Sequence, residues 1–221
     1  MVIYFYSTGK QMKIYAINCD KSIQRYLTLK KYINFERIKP VEFRDPQILE
    51  LQQSWNPEHK SELSLQLTVA RIIEKETEPF LLLEDDCIFD SDPIPVLNKI
   101  HELPSYFTLC YLGCYLRPYS KGHLIKYNDN FMELIGDFMI WGCHAIVYNP
   151  PYCKMIVDAF NEKKQIAIDG WLSMNFVGKY PCFIANPMIS WQSGDVGFHG
   201  KYCFDEIKKE SIDFFNKFNI I

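Results

Sequence analysis

The chain lacks the features that mark membrane, secreted and nucleic-acid-binding proteins. No apolar run reaches the roughly 18 residues that a membrane-spanning helix needs, so we expect no transmembrane segment. The chain does not open with the basic residues, apolar segment and small-residue cleavage site of a secretory signal, so we expect a cytoplasmic protein. The net charge of -3 argues against nucleic acid as a partner, because a phosphate backbone requires a basic surface.

Closely paired cysteines are also missing, although the chain contains 8 cysteines. Cys110 and Cys114 are too widely spaced for the CxxC pair of a zinc knuckle, and no second pair follows them. We therefore expect buried, reduced thiols. The sequence shows no internal repeat and no linker, and 221 residues suit one domain with a sizeable core. We predict a single domain over residues 1–221.

The chain is distinguished by an apolar run that leads directly into three acidic residues. Residues Phe80–Leu83 follow Pro79, which indicates a short strand buried on both faces. Glu84, Asp85 and Asp86 then stand where this strand leaves the core. Adjacent carboxylates repel one another, and burying one unpaired is costly. Two interpretations remain open at this point: a divalent cation held by carboxylate oxygens, or a solvated acidic turn.

Strand and helix patterns alternate along the first half of the chain. Lys13–Asn18 is apolar on both faces, and Glu62–Lys75 carries one apolar stripe at helical spacing. This alternation predicts a parallel α/β sheet, and antiparallel signals in the second half predict a mixed, mostly parallel, Rossmann-like sheet flanked by helices. We interpret residues 1–12 as an edge strand or leader, and residues 201–221 as containing a C-terminal amphipathic helix.

The second half also carries predictions about loops and extended segments. The polar composition of Arg117–Asn130 and the Gly and Ser content of Asn186–Gly200 predict two loops. Asp137–Tyr148 is apolar and predicts one long extended segment with Gly142 inside it. Pro150 predicts the start of a helix.

Several stretches, taken in order, resemble the family 25 glycosyltransferases. The similar stretches are Ile17-Asn18 with Asp20, Ser22 and Arg25, then Glu62–Thr68, Leu83–Asp86, Gly142–Ala145 and Asp169. Together they cover about residues 13–197. The chain departs from the family pattern where Thr68 and Val69 replace a Ser-His pair, and where Ser64 and Leu65 replace a Gly-Cys pair.

This resemblance implies a GT-A fold and the transfer of a hexose from a UDP-sugar to an acceptor hydroxyl. Galactose and glucose are the favoured sugars, and the acceptor is a glycan, a lipid-linked molecule or a protein. The family is inverting, so we expect a β-linked product from an α-linked donor. A nucleoside diphosphate leaves readily only when its charge is neutralised, and Mn²⁺ or Mg²⁺ does this as a Lewis acid.

Metal ligation is assigned to Asp86, with Asp85 and His199 as further candidate ligands. Glu84 and Asp86 are two residues apart, so on an extended backbone they would share one side. Asp85 is alternatively a residue that caps the turn. His199 is alternatively a surface histidine of the Gly-containing loop, although imidazole is an acceptable ligand for Mn²⁺.

The candidate donor contacts come from several separate stretches. Asn18 would bind uracil or ribose, and Arg25 the diphosphate through its planar guanidinium. Glu84 would face the ribose or orient a contact with the base. Asn18 is alternatively a turn residue, and Arg25 an exposed helix arginine. Trp141 and His144 would contact the sugar, unless they are core residues, and a buried imidazole needs a hydrogen-bond partner in either case.

Asp169 is the candidate catalytic base, because an inverting transfer needs a carboxylate that accepts the acceptor's proton. The alternative interpretation of Asp169 is an ordinary helix N-cap.

Two other functions compete with a glycosyltransferase. A nucleotidyltransferase shares the acidic site but needs a Gly-rich loop after the first strand, and residues Asn18–Ser22 contain no glycine. A catalytically inactive binding or scaffold protein would retain the fold alone.

Overall fold

An eight-stranded sheet flanked by helices forms the centre of the protein. The computed structural model describes residues 11–52, 60–117, 119–161, 167–193 and 204–218. The strands are β1 (Lys13–Ile17), β2 (Glu36–Ile38), β3 (Phe80–Glu84), β4 (Cys87–Phe89), β5 (Leu109–Tyr111), β6 (Tyr115–Leu116), β7 (His123–Lys126), β8 (Phe131–Ile135), β9 (Ile140–Trp141), β10 (Ala145–Tyr148), β11 (Cys182–Ala185) and β12 (Ser190–Gln192). The α-helices are α1 (Ile23–Leu29), α2 (Pro46–Gln52), α3 (Lys60–Lys75), α4 (Ile94–Leu97), α5 (Lys154–Asn161), α6 (Ile168–Asn175) and α7 (Phe204–Asn216).

The strand order of the main sheet is β2-β1-β3-β10-β5-β11-β8-β7. β1 runs parallel to β2 and β3, and β5 runs parallel to β11. Only β10 and β8 run against their neighbours, so the other six strands share one direction. The prediction of a mixed α/β sheet flanked by helices is therefore confirmed.

The core lies on both faces of this sheet, which explains the uninterrupted apolar run in β3. Leu81 and Leu83 pack on the face that carries α1 and α4, whereas Phe80 and Leu82 pack on the face that carries α3, α5 and α6. The apolar stripe predicted for α3 is confirmed, because its members are almost fully buried. These members are Leu63, Leu67, Ala70 and Ile73.

Two segments predicted to be loops contain strands. The segment Arg117–Asn130 includes β7, which forms a hairpin with β8, and β8 itself was also not predicted. Asn186–Gly200 includes β12, which pairs with β4 in a separate two-stranded sheet. Both predictions were wrong because short strands with few apolar residues are fixed by the strand beside them rather than by their own composition. Residues 194–200 of the second segment lie outside the described residues.

The long extended segment Asp137–Tyr148 is divided into β9 and β10. Gly142 separates them with a φ of 84°, a left-handed conformation that favours glycine. Pro150 opens a single 3-10 turn, and α5 begins only at Lys154. The seven described cysteines are all unpaired and six are buried, as expected.

The predicted edge strand or leader over residues 1–12 lies outside the described residues except for its last two. The C-terminal amphipathic helix is present as α7, although residues 201–203 and 219–221 are not described. Within the described ranges, no helix is both long and apolar enough to cross a membrane.

Candidate functional site

The acidic stretch lies at a topological switch point of the sheet, where successive strands are added on opposite sides of β1. From β1 the chain passes through α1 to β2 on one side, and β3 then adds on the other side of β1. Loops leaving β1 and β3 therefore diverge, and open α/β sheets bind ligands in the crevice that this divergence creates. Asn18 follows β1 and Glu84–Asp86 ends β3, so the topology brings these stretches together. Ile17 is directly paired with Glu84.

Asn18, Arg25 and Asp85 form one hydrogen-bonded group in this crevice. Asn18 is buried, and its Nδ2 donates to Oδ2 of Asp85 at 2.7 Å and to the carbonyl oxygen of Ser22 at 3.0 Å. Nη1 of Arg25 lies 3.2 Å from the other oxygen of Asp85. Both oxygens of Asp85 thus have partners, and the three predicted residues join the β1 loop, α1 and the end of β3.

Two cations next to this group were not among the predicted site residues. Nε of Arg37 donates to Oδ1 of Asn18 at 2.8 Å, and its Nη2 donates to Asp20 at 2.8 Å. Lys39 pairs with the second oxygen of Asp20 at 2.9 Å. These two residues lie at the end of β2 and just beyond it. Only the parallel pairing of β1 with β2 places them beside Asn18, so no local sequence signal could have identified them.

Asp86 is the most deeply buried of the three acids, with 8% of its surface exposed. Its Oδ2 accepts a hydrogen bond from Nε2 of Gln192 at 2.8 Å. Its Oδ1 is buried and meets no hydrogen-bond donor among the described residues. Burial raises the pKa of Asp86, and the charge of Asp85 adds to this rise while Gln192 and Arg25 oppose it. A buried carboxylate oxygen without a donor is the group that a cation would satisfy.

Glu84 ends β3 on the face opposite to Asn18. Its backbone N–H donates to the carbonyl oxygen of His144 at 3.0 Å, which continues the pairing of β3 with β10. The residue is partly exposed in this structure. Burial raises the pKa of Glu84 well above its ordinary value, and the charges of Asp86, Asp169 and Asp85 add to this rise. Four carboxylates therefore interact around one end of β3.

His144 is completely buried beside this end of the sheet. Its Nε2 lies 3.2 Å from the carbonyl oxygen of Ser190, and its Nδ1 has no hydrogen-bond partner among the described residues. Burial lowers the pKa of His144 to about 4, so the imidazole is neutral near pH 7. Because it has no exposed surface, His144 packs in the core against Tyr115 in this structure. Its predicted contact with the sugar stays a prediction.

Asp169 lies in the first turn of α6 rather than at its N-cap, a position occupied by Ala167. The carboxylate accepts a hydrogen bond from the backbone N–H of Gly142 at 3.0 Å and another from Gly170 at 2.7 Å. It therefore joins α6 to the turn between β9 and β10, which lies next to the acidic end of β3. Asp169 is therefore not the N-cap residue of α6, although its carboxylate does accept a hydrogen bond from a backbone N–H of the first turn.

Trp141 precedes Gly142 and is half-buried. The guanidinium carbon of Arg117 lies 4.4 Å from the centre of the Trp141 ring, a cation–π geometry that holds the ring against β6. Trp171 and Trp191 are both buried in the core. Of the three rings, Trp141 is thus the one that is partly exposed.

Among the described residues, no group of three or more His, Cys, Asp or Glu side chains is arranged to hold a metal ion. His199 lies outside the described residues. The structure does provide one suitable protein ligand, the unpaired buried oxygen of Asp86. Mg²⁺ is commonly held by only one or two carboxylates together with substrate phosphates and water, so this arrangement fits a cation that binds with a nucleotide.

A cavity of about 290 Å³ opens elsewhere, between the β1–β2 edge of the sheet and α3. None of the predicted site residues lines it, and two of its cations already pair with carboxylates, Lys39 with Asp20 and Arg71 with Asp45. We therefore place the candidate site at the end of β3 and not in this cavity.

No protein-family model matches the chain, and no curated protein matches it. The resemblance to family 25 glycosyltransferases thus stays a prediction from the sequence.

Proposed function

We propose that the protein is a metal-dependent glycosyltransferase with a GT-A fold, which moves a hexose from a UDP-sugar to an acceptor hydroxyl. The observation that carries the proposal is the buried Asp86 carboxylate at a topological switch point, with one oxygen that meets no donor among the described residues. Clustered acids at this place favour a cationic or cation-bound ligand. A nucleoside diphosphate bound with a divalent cation is a ligand of this kind.

The residues around Asp86 fit the parts of such a donor. Arg25 is pre-positioned by Asp85 at the crevice, where a guanidinium suits a diphosphate oxygen. Asn18 stabilises the loop after β1 rather than offering its amide donors, since both are used within the protein. Glu84 faces the other side of the sheet end, where a carboxyl group suits sugar or ribose hydroxyls.

The metal would be held by Asp86, with Asp85 and His199 as the further candidates from the sequence. When bound, Mn²⁺ or Mg²⁺ would neutralise the charge of the diphosphate. The protein's own contribution is to hold the Asp86 carboxylate in a buried, oriented position. Gln192 and the backbone of β12 provide that orientation.

Asp169 is the proposed base in the single displacement of an inverting transfer. Two backbone N–H groups hold the carboxylate at the start of α6, and its charge acts on Glu84 at the end of β3. As the acceptor oxygen forms the new glycosidic bond, the bond between the sugar and UDP would break, UDP would leave with the electron pair, and the proton of the acceptor hydroxyl would pass to Asp169. An α-linked UDP-sugar would then give a β-linked product.

The experiment combines a binding and a transfer measurement. We expect UDP to raise the melting temperature and Mn²⁺ to increase that shift, because a ligand that binds only the folded state stabilises it. Asp86→Asn should abolish the Mn²⁺ effect and leave the shift with UDP alone nearly unchanged. UDP-hexoses offered with sugar acceptors should release UDP, and NMR of the product should show a β-linkage.

Two outcomes would contradict the proposal. Equal shifts with ATP and UDP, with no response to Mn²⁺, would argue for a different ligand. A normal Mn²⁺-dependent shift without hydrolysis or transfer of any nucleotide sugar would instead favour the inactive binding protein.

A further inference from the structure

The two oxygens of the Asp86 carboxylate are not equivalent. Gln192 donates from Nε2 to Oδ2 at 2.8 Å, whereas Oδ1 has no donor among the described residues. A carboxylate can only accept hydrogen bonds, so the amide of Gln192 must present its N–H side to it. The contact therefore occupies one oxygen, whereas the other is buried and unpaired among the described residues.

The backbone around Gln192 is fixed by three separate contacts. Gln192 lies opposite Cys87 in the pairing of β12 with β4. The N–H of Ser193 donates to the carbonyl oxygen of Asp86 at 2.7 Å. The Tyr115 hydroxyl lies 3.2 Å from the backbone carbonyl oxygen of Gln192 and 3.3 Å from the backbone nitrogen of Gln192. Because this backbone is fixed, the Gln192 side chain holds the Asp86 carboxylate with little freedom of movement.

We propose that Gln192 is the positioning residue of the metal site and selects Oδ1 of Asp86 as the oxygen that binds the cation. The inference rests on the proposed function, because it concerns the same site. It adds a residue from β12, which lies about 100 positions further along the chain and was predicted to be loop. Gln192 acts through Asp86 and does not itself contact the metal or the donor.

The physical reason is preorganisation of the ligand. A carboxylate that rotates freely loses side-chain freedom when it binds a cation, and a carboxylate already held by a hydrogen bond loses less. A neutral amide provides this restraint without adding a charge that would compete for the cation. Hydrogen bonds behind metal ligands typically change metal affinity by about 10–100-fold.

The test replaces Gln192 by Met, which has a similar length and no donor. The matched control is Ser190→Ala on the same strand, because the buried Ser190 hydroxyl makes no hydrogen bond among the described residues. Free Mn²⁺ is measured by electron paramagnetic resonance during titration at saturating UDP, and UDP affinity is measured separately without metal. We expect Gln192→Met to lower Mn²⁺ affinity about 10–100-fold and to leave metal-free UDP affinity unchanged.

Ser190→Ala should match the wild type in both measurements. If Gln192→Met does not fold, Gln192→Asn serves as a second variant, because its amide is one methylene too short to reach Asp86. Unchanged Mn²⁺ affinity in the folded variant would overturn the inference and leave the metal site intact. An equal loss in Ser190→Ala would assign the effect to β12 as a whole and also overturn it. A wild type that binds no Mn²⁺ would contradict the proposed function and the inference together.

Discussion

Asp169 shows how one residue can resemble a helix cap in the sequence and do something else in the structure. Its carboxylate accepts from Gly142 across the site and from Gly170 in its own helix. The same two hydrogen bonds would keep a catalytic carboxylate oriented. A structural and a catalytic role therefore need to be separated by kinetics as well as by stability.

Replacing Asp169 by Asn should lower the transfer rate by about 10²–10⁴-fold, the usual effect of losing a general base. The amide keeps one acceptor oxygen, so one of the two hydrogen bonds is lost. The free energy of unfolding should then fall by about 1–3 kcal/mol, the range for a hydrogen bond to a charged group. Initial-rate kinetics and urea denaturation measure the two effects, and UDP affinity should stay nearly unchanged.

Ser173→Ala is the matched control for Asp169→Asn, because Ser173 also joins α6 to β9. Its hydroxyl accepts from the N–H of Ile140 at 2.8 Å and donates to the carbonyl oxygen of Ile140 at 3.0 Å. This variant should lose stability to a similar extent and retain the transfer rate. If Asp169→Asn also retained its rate, the residue would only join α6 to the turn and the base would lie elsewhere.

The turn between β9 and β10 is the element on which this part of the site depends. Gly142 has a φ of 84°, and a Cβ built on it would lie 2.8 Å from Nδ1 of His144. His144 is fully buried, so its ring cannot easily move away. The turn therefore requires glycine for both its backbone conformation and its close approach to the imidazole.

Gly142→Ala should lower the free energy of unfolding by about 1–3 kcal/mol, because it combines an unfavourable φ with a steric clash. Gly170→Ala is the control in helix α6, where an added Cβ has nothing within 4 Å. That variant should gain about 0.5–1 kcal/mol, because alanine is the better helix former. Chemical denaturation of both variants checks this pair, and equal changes of one sign would contradict the described turn.

Across the whole molecule, two kinds of buried titratable group change stability in opposite directions with pH. Glu84 has a raised pKa, so its contribution to stability is present below its ordinary value of 4.5 and is lost as the pH rises. His144 has a pKa lowered from 6.5 to about 4, so stability is lost as the pH falls through that window. Above pH 4.5 the two effects oppose each other and partly cancel in the wild type.

The free energies of unfolding of the wild type and of Glu84→Gln are compared at each pH. His144 contributes equally to both, so its contribution cancels in the difference. Without metal, the wild type should lose stability relative to Glu84→Gln as the pH rises above 4.5, by at most about 1.4 kcal/mol per pH unit and proton. Urea denaturation at a series of pH values measures this. In the presence of saturating Mn²⁺ and UDP, the stability difference between the two proteins should change less with pH, because a bound cation offsets the repulsion among the carboxylates. A difference independent of pH would show that Glu84 titrates normally.

Much of the fold followed from local patterns because the driving forces are local to each element. The apolar run of β3 and the stripe of α3 determine burial wherever these elements pack, and both predictions were confirmed. The turn at Gly142, which divides the predicted extended segment into two strands, was not predicted. A positive φ cannot be recognised from the sequence of an otherwise apolar segment. β7 and β12 were missed because their pairing partners, not their own residues, make them strands.

The sequence by itself determined the alternating elements, the acidic end of β3 and the residue types that could bind a cation. Only the tertiary structure decided how these acids differ from one another. Asp85 is held by Asn18 and Arg25, whereas Asp86 is buried with one oxygen held by Gln192 and the other without a donor in the part of the chain that the structure describes. These partners come from β1, α1 and β12, and strand pairing brings them together across large distances in the chain. Burial and hydrogen bonding, which set the chemistry of a carboxylate, are properties of that assembly and not of three adjacent letters.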